Sequence, residues 1–366
     1  MWRREPFRLL FPLGALLAWA GVLPWLFFSL GATSLYAPLN GVLAYRSYLH
    51  PVAELEGFLG CFALGLVFTI SPPAWWELSL ALIAPLFAAA LAAMGRWEAG
   101  QALWLLLLTV VVLRFRRGPA GLWLFAGVVL GASGSVLAGV TKEWWLRELG
   151  RDLVMQGMFT ALAVGAARAL RGDRGGTRYL DVLGIAFFAA SFWVGARDKP
   201  HLGFALRALV LISAARPLRP PFEVGPRTLR LFFPHLALWM MAGGTAWIAA
   251  LTQVRRAGLH VMFLGAFAAL LCSGFTRLRA PGRRLAWTAG LFSLSMLGRV
   301  MVELDPPAFH IWMGTSAASF LAASVLCALM PANQSKRGSA QAETASTPDR
   351  DRAGVERDDA QAQAIN

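Results

Sequence analysis

Five histidines occur in the 366 residues, His50, His201, His235, His260 and His310, and most stand where long apolar runs begin. Imidazole is the commonest metal ligand and changes charge near neutral pH. Ionisable groups at membrane depth are costly, so those retained there are candidate sites. One constellation is His50-Pro51-Val52-Ala53-Glu54-Leu55-Glu56, continuing into an apolar stretch. A spacing of four puts His50 and Glu54 on one face if the helix already includes His50. A carboxylate one turn away can then orient a ligating imidazole. The plainer alternative is a set of interfacial groups that reach back to water. A second constellation is Leu259-His260-Val261-Met262-Phe263-Leu264-Gly265-Ala266-Phe267. His260 and Phe267 lie two turns apart, and Gly265 permits close approach by a neighbouring helix or a flat macrocycle.

Phe232-Phe233-Pro234-His235 reads as the first turn of a helix, where proline is tolerated. His235 suits a structural role as well as a ligand. His310, in Phe309-His310-Ile311-Trp312 after Asp305-Pro306-Pro307, fits an aromatic belt or a binding site. His201 follows Asp198-Lys199-Pro200 in a polar loop. Arg207 and Arg299 fall inside apolar runs. Each needs a partner there: a bound anion such as a haem propionate, or an internal ion pair with Glu303, Asp181 or Asp152.

The elements that hold these groups follow from composition. Hydrophobic residues make up 57% of the chain and charged residues 15%, with a mean hydropathy of +0.56. A soluble domain is nearer half apolar and a quarter charged. The runs are continuous rather than alternating, which excludes a β-barrel and leaves helices as the way to satisfy the backbone in lipid. The fold class expected is all-α, a polytopic transmembrane bundle of about twelve helices. The predicted spans are 8–31, 53–71, 74–94, 99–115, 119–140, 152–170, 178–196, 201–216, 230–252, 258–276, 285–303 and 308–330. Residues 1–330 form the transmembrane domain. Residues 331–366 read as a disordered polar cytoplasmic tail, with too few large apolar residues to pack. The first run is too long for a cleavable signal peptide. No motif recurs near 180 residues, the spacing that two repeated halves would give.

The net charge of +14 would suggest nucleic acid in a soluble chain. Here the arginines sit in short loops between apolar runs, so no nucleic-acid partner is expected, and membrane lipid is. Arg3, Arg4, Arg8, Arg114, Arg116, Arg117, Arg168, Arg171, Arg174, Arg178, Arg216, Arg219, Arg227, Arg230, Arg277, Arg279, Arg283 and Arg284 fall on one side of alternating helices. That is roughly twice the number on the other side, which predicts cytoplasmic N- and C-termini. His50, His201, His260 and His310 then share the outer side, and His235 lies nearer the cytoplasm. Cys61, Cys272 and Cys327 sit singly in apolar runs and read as packing residues. Walker, GxGxxG, HExxH, GxSxG-triad and CxxCH patterns are absent, so any haem would be held non-covalently.

Several stretches together resemble the NnrS family, many-helix bacterial membrane proteins that bind haem and copper and ease nitric oxide stress. They are Glu5-Pro6-Phe7-Arg8-Leu9-Leu10-Phe11-Pro12, His50 before Gly57-Phe58 and Gly65-Leu66-Val67-Phe68, His260 through Phe267, Thr276-Arg277, and Leu297-Gly298-Arg299-Val300. The resemblance covers residues 5–330 in architecture. It implies a multi-pass protein of the bacterial cytoplasmic membrane that acts in the response to nitric oxide or nitrosative stress. It implies haem b, held by His50 and His260, with His310 or His235 in reserve and Arg299 nearby. It also implies iron or copper at His50, His260 and His235. The chain departs from the family's Trp-His-x-His-Glu pattern: Val52 and Ala53 stand where the second histidine and the glutamate would be. The family's Gly-His-Thr-Gly-Arg is here Arg279-Ala280-Pro281-Gly282-Arg283. These losses count against copper, while haem retains its two best ligands. Nitric oxide or another small gas is the ligand expected at the iron. A secondary transporter using Arg207, Arg299 and Asp181, or a non-catalytic structural membrane protein, is the alternative. The sequence assigns no turnover reaction.

Overall fold

A computed structural model describes residues 5–31, 46–114, 119–172, 178–197, 199–215, 226–278 and 280–330. The tail expected at 331–366 lies outside the described residues, as do Tyr36 and Tyr45 of the long first loop. The described chain is helical throughout, without a strand. Among the described residues twelve helices are seen. They are α1 (Phe7–Ser29), α2 (46–70), α3 (Trp75–Ala93), α4 (Trp97–Arg114), α5 (Pro119–Val140), α6 (144–171), α7 (Arg178–Ala196), α8 (Pro200–Ala215), α9 (Pro226–Ala250), α10 (255–277), α11 (Gly282–Leu304) and α12 (Phe309–Leu329). Eleven are long and apolar enough to cross a bilayer. The exception is α8, whose 16 residues rise only about 24 Å. The chain is an all-α polytopic bundle, as its apolar runs require.

Three of the helices are interrupted by π turns: Ala53–Leu59 in α2, Leu153–Met158 in α6 and Val261–Gly265 in α10. These three are the interior of the bundle. In their most apolar stretches 61, 78 and 67% of residues are buried, against at most 50% in any other helix. The π turns recur about one hundred residues apart, and the packing recurs with them. Along the chain, α1 lies on α2, α5 on α6 and α9 on α10. The pairs α3–α4, α7–α8 and α11–α12 pack together, and α4–α5, α8–α9 and α12–α1 complete a ring. The described fold is therefore three successive sets of four helices, each contributing one inner helix and three outer ones. A search for two halves looks at the wrong spacing.

The inner helices start earlier than hydropathy indicates. Spans expected at 53, 152 and 258 begin instead at Arg46, Trp144 and Arg255. The added turns carry Tyr48, His50, Arg147, Arg151 and Arg255. Polar residues that read as loop are helical here because several of them face an internal cavity rather than lipid. Helix α9 also starts early, at Pro226, so Pro234 lies inside the helix and not in its first turn. It forgoes one ladder hydrogen bond there. The three cysteines are buried free thiols, consistent with packing.

Glycine pairs let the inner helices approach their partners. A Cβ on Gly150 of α6 would stand 2.6 Å from the backbone oxygen of Gly134 on α5. A Cβ on Gly258 of α10 would stand 2.8 Å from the Gly244 oxygen on α9. Backbone atoms cannot yield as side chains do, and overpacking costs roughly 1–3 kcal/mol. Gly150→Ala and Gly258→Ala are thus expected to lower the thermal unfolding midpoint in detergent. Gly290→Ala, at a position open to space, is expected to leave it unchanged or raise it.

Candidate functional site

The N-terminal ends of α2, α10 and α12, the C-terminal ends of α1 and α11 and the middle of α6 enclose a cavity of about 1010 Å³. Its walls are aromatic and aliphatic, with Phe58, Phe263, Phe267, Phe292 and Phe320 among them. Polar groups converge on it from four helices: His50 and Glu54, Asp152 and Gln156, Arg255 and His260, Arg299 and Glu303. Sequence spacing placed His50 and Glu54 on one helical face, and both line this cavity.

The two cavity histidines are oriented alike. His50 Nδ1 donates to the Gly21 carbonyl of α1 at 3.1 Å. His260 Nδ1 donates to the Arg256 carbonyl one turn earlier at 2.7 Å. A carbonyl only accepts, so each Nδ1 carries the hydrogen and each Nε2 is left with a lone pair. For His260 that lone pair is taken: Arg299 Nε donates to His260 Nε2 at 3.0 Å. Arg299 Nη1 lies 2.6 Å from Met313 Sδ on α12, and the guanidinium carbon stands 5.7 Å from the Trp25 ring. Close by, Glu303 Oε2 accepts from the Ala257 amide at 2.9 Å, which satisfies an open N–H at the start of α10. Glu54 Oε1 is buried and lacks a hydrogen-bond partner.

A second polar chain runs outward from α6. Asp152 holds Arg255 at 3.3 Å and accepts from Gln156 Nε2 at 2.9 Å. Gln156 Oε1 in turn accepts from Arg207 Nη1 at 3.1 Å, and Arg207 Nε donates to Ser191 Oγ at 3.2 Å. The Arg207 guanidinium lies 3.8 Å from the Phe192 ring and 4.3 Å from Phe204. This explains how a buried arginine is accommodated in α8: amide and hydroxyl acceptors and two aromatic faces surround it, and the carboxylate is reached through Gln156. Asp181, weighed as a partner of Arg207 or Arg299, is instead paired with Arg168 and also accepts from Trp123 Nε1 at 3.4 Å.

Of the residues singled out in the sequence, His50, His260 and Arg299 come together in the cavity. His310 does not line it; it is exposed, its ring 5.6 Å from that of Phe28. His235 donates to the Leu231 carbonyl at 2.6 Å on α9 and does not line it either. His201 is exposed, bonded to the Ala249 carbonyl at 3.0 Å. Among the described residues no three of His, Cys, Asp and Glu converge so as to hold a metal ion by themselves. The network of Asp152, Gln156 and Arg255 was not read as one site from sequence. Its only local signal was the four-residue spacing of Asp152 and Gln156. No protein-family model matches the chain, and no curated protein matches it.

Proposed function

We propose that this chain is a membrane haem protein similar in role to the NnrS family, holding haem b in the cavity and serving the response to nitric oxide or nitrosative stress. One observation carries the reading: two histidines from different inner helices line one large, mostly apolar cavity, and each has its Nδ1 hydrogen committed to a carbonyl. That commitment fixes the tautomer in which Nε2 can ligate a metal. The cavity is of a size that takes a cofactor. A macrocyclic ligand supplies the four equatorial donors itself, so two imidazoles suffice where a bare ion would need a third protein group.

The fit is direct for His50 and conditional for His260. His50 Nε2 has no bonded partner among the described residues. His260 can ligate only when Arg299 turns aside, and Met313 and Glu54 are the groups at hand to receive it. Phe263, Phe267 and Phe292 exclude water from the centre, and Arg255 and Arg256 line the polar part of the cavity, where they would face acidic substituents of the ligand. When bound, haem b supplies an iron that exchanges one electron or takes up a diatomic gas. The arginine bias along the chain supports cytoplasmic termini in a bacterial membrane, with the helix ends that carry His50 and His260 toward the outer side. Copper is not part of the proposal.

The test is the absorption spectrum of detergent-purified protein, oxidised and dithionite-reduced, with iron and copper analysis of the same sample. A Soret band with near-stoichiometric iron is expected. Colourless, iron-free protein from cells well supplied with haem overturns the reading. That result would favour a transporter, for which the charged chain from Asp152 to Arg207 beside the cavity is the supporting observation.

A further inference from the structure

On the side of the α2 π turn away from His50 and Glu54 lies a separate polar cluster. Glu56 is fully buried, ten residues and about 15 Å of helix rise inside the start of α2. Its Oε1 accepts from Gln101 Nε2 of α4 at 2.5 Å. Two further buried polar atoms of this pair have no hydrogen-bond partner among the described residues: Glu56 Oε2 and Gln101 Oε1. Glu56 forms no ion pair with the described residues. Helix α1 carries only Arg8, near its far end and paired with Glu5. On α3, Glu77 is paired with Arg114 from the end of α4, and Glu98 at the start of α4 faces Arg147 at 3.8 Å. On α2 itself, His50 and Glu54 point to the cavity.

Among the described residues a carboxylate here would have one hydrogen bond and no cation, and it is fully buried, which a low-dielectric interior does not support. A carboxylic acid needs only one acceptor for its O–H. Rotating the Gln101 amide presents its oxygen to Glu56, and the atoms then pair without a charge. Such a group costs less to bury, yet it still binds and releases a proton.

We propose that Glu56, with Gln101, is a proton-binding site within the bilayer, distinct from the cavity and independent of what the cavity holds. Glu56 carries a proton as a neutral acid and exchanges it with the medium as H⁺, no other bond changing. Its π turn also carries Glu54, Leu55 and Phe58 to the cavity wall. The site is therefore placed to store a proton beside whatever chemistry occurs there.

The experiment is infrared spectroscopy of the purified full-length protein in H₂O and D₂O. The expected result is a carboxylic-acid C=O band that shifts in D₂O, vanishes in Glu56→Gln and persists in Glu54→Gln. Gln101→Leu, which keeps the glutamate but removes its hydrogen-bond partner, should displace the same band; this variant carries the test if Glu56→Gln fails to fold. Two results overturn the proposal. If no acid band depends on Glu56 or moves in Gln101→Leu, the group is ionised. If the band depends on Glu56 but stays put in D₂O, the acid is sealed in and structural only.

Discussion

His50→Ala and His260→Ala, each expressed with ample haem and purified in detergent, are expected to lose nearly all of the parent's haem absorbance. His201→Ala, His235→Ala and His310→Ala should keep it. The contrast separates a ligand pair from histidines that play only structural or interfacial roles, because all five substitutions remove the same imidazole group. Only two of those groups line the cavity. An unchanged spectrum in either of the first two variants would sink that residue as a ligand, and in both would sink the haem assignment at this site. Arg299→Leu sharpens the result. The bond from Arg299 to His260 must break before His260 can ligate, and a hydrogen bond from a charged donor is worth about 1.5–3 kcal/mol. Its removal is expected to raise haem affinity by roughly ten- to a hundredfold, measured by titrating haem into apoprotein. A fall in affinity would show instead that Arg299 contacts the bound ligand directly.

Arg168→Leu is expected to destabilise the fold by about 3–5 kcal/mol, since it strands Asp181 in the interior between α6 and α7. The two side chains are only 3 and 7% exposed, so water cannot rescue the remaining carboxylate. The double variant Arg168→Leu/Asp181→Leu should regain most of that loss, because removing both partners leaves no orphaned charge. Chemical or thermal unfolding in detergent reads both. A single-variant loss below about 1 kcal/mol, the value of an exposed pair, would contradict the burial.

Residue types settled the solvent and the element list by themselves. Twelve apolar runs, uninterrupted by alternation, could only be helices in lipid, and their central residues were correctly placed. Hydropathy failed at the starts of α2, α6 and α10, where Tyr48, His50, Arg151 and Arg255 look like loop. It failed because a one-dimensional average cannot distinguish a polar residue facing water outside the bundle from one facing a cavity within it. The candidate site was half legible. His50 and Glu54 share a helix, and their spacing gave their common face. From residue types and spacing alone, His260 and Arg299 were separate ionisable groups in apolar surroundings; only the family resemblance grouped them with His50.

What brings His260, Arg299 and His50 to one cavity is the packing of α10 between α9 and α11 and of α1 between α2 and α12. These contacts join residues as far apart in the chain as Trp19 and Ser324, 305 positions. The same holds for Glu54 and Glu56. Two carboxylates two residues apart look equivalent in sequence, but a helix turns about 200° between them. One therefore faces the cavity and the other Gln101. Local spacing fixes direction on a single helix; which partner waits in that direction is decided only when the helices pack.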